Sequence, residues 1–229
     1  MPRKKRIWYP GATYHVMSRG NRRGALFRDR SDYLLFLEYL SMIKERFPFK
    51  LHAICLMTNH FHIAIETQDE SLSRIMQRIL HLYASEFNNK YKYTGHLFEG
   101  RFTSCLIEDE RYFLEVSRYI HLNPVKAMMV KRLEDYEYGS YRVFMSDEPD
   151  NIIKDKAYMV IKDLVDTSRT FGCFCNNKMD EYRMFVEGEI SHAEQEQLIQ
   201  KDMKEDDMWL PLPIVPVNST FVNDAVNGA

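Results

Sequence analysis

The chain has 229 residues, a formal net charge of −2, 45% hydrophobic residues and 13% aromatic ones, a composition that buries a real core. No apolar run approaches a membrane span, and the basic start Arg3-Lys4-Lys5-Arg6 is followed by no apolar signal core, so neither a membrane protein nor a secreted one is expected. The small net charge hides a gradient: residues 1–50 hold 12 Lys and Arg against 4 Asp and Glu, and residues 151–229 hold 8 against 14. A phosphate-binding patch depends on local charge, and here it would lie toward the N-terminus.

In chain order, Ala12 to Ser18 alternates as a first strand, closed by Arg19-Gly20-Asn21. Ser31 or Asp32 can cap a helix that carries Leu34, Leu37, Leu40 and Ile43 and ends near Pro48. Two strands, roughly Lys50 to Met57 and His60 to Glu66, are joined by a tight Thr58-Asn59 turn. Ser71 opens a long helix whose stripe is Leu72, Ile75, Met76, Ile79, Leu82 and Tyr83. A loop near residues 90–100 leads into a fourth strand, Phe102 to Ile107, and then a helix from Asp109 to His121, which Pro124 ends or restarts. The order is βαββαβ, a split arrangement that predicts an α+β fold: an antiparallel sheet with the first two helices on one face and the other face left for function.

Past about residue 145 the motifs stop, so the expected division is a catalytic domain over 1–145 and an acidic, partly helical extension over 146–229. Ile152 to Val165 and Asp180 to Glu187 are predicted helices, Asp202 to Trp209 is an acidic run, and Pro211 to Pro216 is predicted extended. Of the four cysteines, Cys55 and Cys105 fall on predicted strands as core thiols. Cys173 and Cys175 lack the second pair that a zinc site needs.

Chemistry concentrates at two places. In Asn59-His60-Phe61-His62-Ile63, strand alternation points both imidazoles the same way and Phe61 into the apolar side. Two histidines begin a divalent-metal site without completing it. In Arg118-Tyr119-Ile120-His121-Leu122-Asn123-Pro124, Tyr119 and Asn123 lie four apart on one helix face. The Asn123 amide oxygen can add a third ligand while the Tyr119 phenol sits beside it. Nitrogen and oxygen donors with phosphate oxygens suit Mg²⁺ or Mn²⁺, and the nitrogens favour Mn²⁺. A metal beside a tyrosine points to phosphoryl transfer through a covalent intermediate.

Each feature has an ordinary alternative. Most of the 14 tyrosines must be packing residues, and an asparagine before proline often just holds a turn. A phenol with an unperturbed pKa near ~10 also needs a cation to act as a nucleophile at neutral pH. Arg118 is adjacent on the helix and diverges, so it is not assigned that role; Tyr112 is a distant second nucleophile. Asn59, His52 and His121 are weaker candidates, and His121, two positions from Tyr119 and so off its helical face, reads as structural. Arg19, Asn21, Arg22, Arg23, Arg28 and Arg30 form a loop that is by default solvated and otherwise a DNA clamp.

Four stretches together resemble the single-tyrosine HUH transposases, in particular the REP-associated tyrosine transposases: Tyr9 to Asn21, Leu56 to His62, Gly95 to Phe102 with His96, Phe98 and Arg101, and Arg118 to Val125. They span roughly residues 5–145 in the family's order. The resemblance implies a ferredoxin-like HUH nuclease core, with His60 and His62 as the HUH histidines and Tyr119 as the nucleophile that becomes linked to a DNA 5′-phosphate. Simpler members carry a glutamine four residues after the tyrosine; Asn123 stands there with a shorter reach. The resemblance also marks Gly95 to Phe102 strongly, and we read that segment as strand entry and closure of the site.

The expected function is therefore a metal-dependent, single-strand DNA endonuclease and strand transferase in the cytoplasm, associated with the nucleoid. Its implied partners are single-stranded or hairpin DNA of the REP-palindrome type, contacted by Arg19, Asn21, Arg22, Arg23 and Arg101. Monomer and homodimer both stay open. The rivals are a domesticated protein that binds structured DNA without cutting it, and a phosphodiesterase that uses water while Tyr119 merely packs.

Overall fold

The computed structural model describes residues 7–146 and 155–188; the basic start, the acidic run Asp202 to Trp209 and the proline-rich Pro211 to Pro216 lie outside them. Chain order gives β1 (Thr13–Arg19), α1 (Arg30–Arg46), β2 (Phe49–Met57), β3 (His60–Thr67), α2 (Leu72–Tyr91), β4 (Thr103–Ile107) and α3 (Glu110–Lys126). Four further helices follow: α4 (Tyr141–Phe144), α5 (Lys156–Leu164), α6 (Ser168–Gly172) and α7 (Lys178–Glu187). The strands form one antiparallel sheet in the order β2-β3-β1-β4, the arrangement expected of a split βαββαβ unit.

Alternation sorts each strand's residues onto two apolar layers. Val16, Ile54, Leu56, Phe61, Ile63 and Ile65 face a core shared with Phe36, Leu37 and Leu40 of α1 and Ile75, Met76, Ile79 and Tyr83 of α2. The opposite face carries Ala53, Cys55, Met57 and Ala64, and α3 covers it with Phe113, Val116 and Ile120. Both crossing helices thus share one face, and the face left for function receives the helix that carries Tyr119.

Two helix ends depart from expectation. The N-cap of α1 is Asp29, earlier than Ser31 or Asp32, because Asp29 and Asp32 form a reciprocal capping box: Asp29 accepts from the Asp32 N–H and Asp32 from the Asp29 N–H. Lys90 of α2 ties that box down with bonds of 2.8 Å to Asp29 and 2.7 Å to Asp32. Pro124 lies inside α3, which runs on to Lys126. Proline removes one donor, yet the Ala127 N–H still reaches the Asn123 carbonyl and buried Leu122 anchors the last turns against Leu133, Tyr141 and Tyr182. Tertiary packing outweighs the local breaker. Ser71 caps α2 as expected.

Residues 155–188 pack directly on this core. Lys156 pairs with Glu38 of α1 at 2.7 Å, and Lys44 Nζ donates to the Leu164 carbonyl at 2.6 Å. The outer edge of β2 is met twice by the chain's own backbone: Gly139 bridges Cys55, and Val165 bridges Leu51 while the Asp166 N–H donates to the Leu51 carbonyl. On α7, Tyr182 is fully buried, and its hydroxyl lies 2.6 Å from Ser117 Oγ and 2.8 Å from His121 Nδ1, both on α3. Tyr182→Ala should cost about 3–5 kcal/mol, because it leaves a cavity and strips two buried polar groups of a partner. Thermal melting should show a midpoint lower by on the order of 10 °C. An unchanged midpoint would mean that α7 is dispensable to the core.

Candidate active site

His60 and His62 lie on β3 where it pairs with β1, opposite Arg19 and Met17 respectively. Phe61 points the other way, wholly buried against Phe36. The two imidazoles meet edge to face with ring centroids 5.1 Å apart, so both are at hand as nitrogen donors for a divalent cation. From above, α3 sets the Tyr119 ring 5.3 Å from that of His62. The strand histidines and Tyr119, predicted separately from sequence, are brought together.

The structure adds His15. Its register partner on β3 is the small Ala64, and its ring lies diagonally across, 5.2 Å from His62 and 5.7 Å from Tyr119. The signal was available in principle. His15 shares the alternation phase of Met17 and Arg19, and the βαββαβ order makes β1 the neighbour of β3.

Hydrogen bonds set the faces of the rings. The Asn59 side-chain oxygen can only accept, so His60 Nδ1 carries the proton at 2.7 Å, and the neutral ring keeps its lone pair on Nε2. His62 Nδ1 and His15 Nε2 share one proton across 3.0 Å; when His62 holds it, His62 Nε2 is likewise bare. Burial lowers His15 to about 4, lowers His60 to about 4 with the Arg19 charge assisting, and pushes His62 well below its ordinary value with His15 and His60 adding to the effect. All three are neutral at pH 7, the state that ligates a cation.

Buried neutral histidines make stability depend on pH. His15 and His121 fall from 6.5 to about 4 and about 3 through burial. The unfolded chain therefore takes up protons first on acidification. The stabilising contribution is complete above pH 6.5 and drains as pH falls toward 4, by on the order of 3 kcal/mol per group. Melting midpoints measured from pH 7 to pH 4 should decline throughout that window, and a flat profile would refute the neutral-buried assignment.

On α3 the Asn123 amide nitrogen donates to the Tyr119 carbonyl at 2.7 Å, which leaves its oxygen as the atom for a ligand. Two neutral imidazoles and one amide oxygen fit Mn²⁺ or Mg²⁺ only with substrate oxygens completing the shell. Among the described residues no group of three or more His, Cys, Asp or Glu side chains is placed to hold a metal by itself. Lys126, two helical turns on, sets its Nζ 5.3 Å from the centroid of the Tyr119 ring. Arg118 turns away to Glu115 and the Phe185 ring.

The arginine loop divides. Arg19 pairs with Glu99 at 3.0 Å, and the segment around Phe98 adds to the end of β1 through the Gly20–Phe98 bridge and the bonds Asn21 N–H to Leu97 O and Glu99 N–H to Arg19 O. That pairing is the strand entry anticipated for Gly95 to Phe102. Gly20 cannot be replaced cheaply, because a Cβ there would lie 2.0 Å from the Gly24 carbonyl oxygen. Arg22 and Arg23 are exposed on a left-handed turn with φ of 53° and 58°. Arg28 instead lies over the Phe87 and Tyr91 rings, and Arg30 pairs with Glu137 and Asp155. Arg101 is exposed and lines a groove together with Asn21.

A curated protein of Haemophilus influenzae, "Putative REP-associated tyrosine transposase", is 31% identical over 109 residues, 42% of this chain and 61% of that protein. The chain thus spans about three fifths of that relative's length. A solved structure described as a REP-associated tyrosine transposase bound to a REP hairpin superposes with a TM-score of 0.54 at 21% identity, covering 62% of this chain and 84% of that one, and supports the fold. Residues 9–123 match the family described as "Transposase IS200 like", a span that opens just before β1 and closes on Asn123. With half of its length inside that match, including His15, both β3 histidines and Tyr119, the chain belongs to the IS200-like transposase family.

Proposed function

We propose that the protein is a single-strand DNA endonuclease and strand transferase acting on hairpin-forming DNA through a 5′-phosphotyrosine intermediate. The observation that carries this is the Tyr119 ring set 5.3 Å from the His62 ring, on the same helix as Asn123 and with Lys126 over its face. His60, His62 and Asn123 would hold Mg²⁺ or Mn²⁺, which would supply Lewis acidity toward the scissile phosphate. Tyr119 Oη loses its proton and forms a bond to phosphorus as the bond to the 3′ oxygen breaks, and that oxygen leaves as a 3′-hydroxyl. A second 3′-hydroxyl reverses the step and restores the tyrosine. One ester replaces another, so no nucleotide triphosphate is consumed. His15 holds the His62 ring through their shared proton.

Hairpin DNA as the substrate draws on the solved relative, described as bound to a REP hairpin. Such a substrate places the protein's work in the cytoplasm, at the nucleoid. No helix among the described residues is long and apolar enough to cross a membrane. The decisive experiment incubates the protein with a single-stranded hairpin oligonucleotide and Mn²⁺ and looks for an SDS-resistant protein–DNA complex. Its absence with every hairpin tried would leave only a binding protein.

Arg22 and Arg23 are proposed to hold phosphates. Replacing both with alanine should weaken hairpin binding at low salt and reduce the log–log salt slope by roughly 0.7 to 0.9 for each phosphate no longer neutralised. Titrations at several salt concentrations that keep the wild-type slope would route the DNA elsewhere.

A further inference from the structure

Four polar side chains on the far side of α3 take no part in the chemistry above, yet all are buried: Ser117, His121, Ser140 just before α4, and Tyr182 of α7. Ser117 and His121 lie four apart on one flank of α3. At about 100° per residue, that flank stands roughly 160° around the helix from the one carrying Tyr119 and Asn123. Between the two flanks, Phe113, Val116 and Ile120 rest on Ala53, Cys55 and Ala64 of the sheet. Apolar burial of that stripe holds the helix down, but it is non-directional and leaves the angle of roll weakly fixed. Arg118, further round the Ser117 flank, lies over the Phe185 ring, so α7 covers this side of the helix.

The hydrogen bonds on that flank run in one consistent direction. The Ser140 hydroxyl accepts from the Ile54 N–H at 3.0 Å and donates to the Ile54 carbonyl at 3.2 Å. Its proton is thereby committed, so His121 Nε2 donates to Ser140 Oγ at 2.7 Å. The neutral ring then accepts at Nδ1 from the Tyr182 hydroxyl at 2.8 Å, and Tyr182 accepts from Ser117 Oγ at 2.6 Å. The Tyr182 ring is itself wedged against Phe144 and Phe174, with centroids 5.0 and 5.8 Å away. A directional chain thus runs from β2 through α3 to α7 and back to α3, and it supplies the angular restraint that apolar packing lacks. The leverage is large: with the phenol oxygen about 9 Å from the helix axis, a roll of about 10° moves it by roughly 1.5 Å. Misplacement on the order of 1 Å can cost about a hundredfold in rate.

We propose that Tyr182 and His121 are positioning residues for the reaction, setting the roll of α3 so that Tyr119 and Asn123 face the β3 histidines; the inference rests on the tyrosine-nucleophile reading above. Helix α7 lies after the span 9–123 that matches the family, so a later part of the chain completes the site. The test uses the full chain with hairpin DNA and Mn²⁺. Tyr182→Phe keeps the wedged ring and deletes two hydrogen bonds. Covalent adduct formation at saturating hairpin should slow about tenfold, with hairpin affinity within about twofold of wild type. Adding Ser140→Ala, which releases the β2 anchor of His121, should take the loss to about a hundredfold. Val186→Ala, a buried truncation on the same helix that leaves the hydroxyl network intact, controls for lost stability and should keep the wild-type adduct rate. Nuclear Overhauser contacts between the Tyr119 and His62 rings, recorded without DNA or metal, should weaken in Tyr182→Phe and persist in Val186→Ala. If Tyr182→Phe does not fold, Ser117→Ala removes a single hydroxyl, with a smaller loss expected in the same direction. A wild-type adduct rate or unaltered ring contacts in the folded variant, or equal losses in Val186→Ala, overturns the proposal. Should the wild type itself form no adduct, the cleavage reading falls and the ring contacts alone decide the positioning role.

Discussion

Tyr119→Phe should abolish the covalent adduct and strand cleavage, by at least about a thousandfold, while hairpin affinity stays within about twofold of wild type. The substitution removes one oxygen and leaves the ring that packs against His15 and His62. Folding and binding are therefore spared, and only the nucleophile is removed. Denaturing gels with end-labelled hairpin DNA read both products at once. Cleavage at the wild-type rate would hand the reaction to water or to another tyrosine, and full loss of binding as well would make Tyr119 a DNA-binding residue first.

His60→Ala should reduce Mn²⁺ affinity by at least about a hundredfold, because it removes one of the three protein donors proposed for the cation. His60 is the better probe of the pair. It is only partly buried, whereas His62 is 1% exposed and hydrogen-bonded to His15, so its removal would also open a cavity. Isothermal titration or Mn²⁺ electron paramagnetic resonance gives the affinity without any turnover. Unchanged Mn²⁺ binding in a folded His60→Ala protein would dismiss the metal site. Asn123→Ala should be milder, since water replaces one neutral oxygen.

Much of this fold was legible because its signals are local and periodic. Strand alternation around Phe61, the stripe on α2 and the Ser71 cap each read correctly from a few neighbouring residues. The sequence-based expectation failed where a distant partner decides. Pro124 reads as a stop, yet the last turn of α3 is held by packing of Leu122 that no local rule contains. Ser31 and Asp32 both read as caps, yet Asp29 takes the position through its reciprocal box with Asp32, which Lys90, far along the chain, also binds. At the site, the His60–His62 phase and the Tyr119–Asn123 spacing came from periodicity alone. His15 required the register of a nonadjacent strand, and Lys126 required looking two turns along α3 instead of at its neighbour Arg118. Arg28 and Arg30 looked like part of the clamp because charge is visible in sequence and its partners are not.

The two backbone bridges on β2 have a consequence for solubility. A bare sheet edge is a row of unsatisfied amides and carbonyls, ready to template another chain's strand. Here that row is occupied at one end by Gly139 and at the other by Val165 and Asp166, both supplied after the span that matches the family. The later part of the polypeptide thus acts as a guard rail against edge-to-edge aggregation through β2, an edge strand apolar at all but Lys50 and His52.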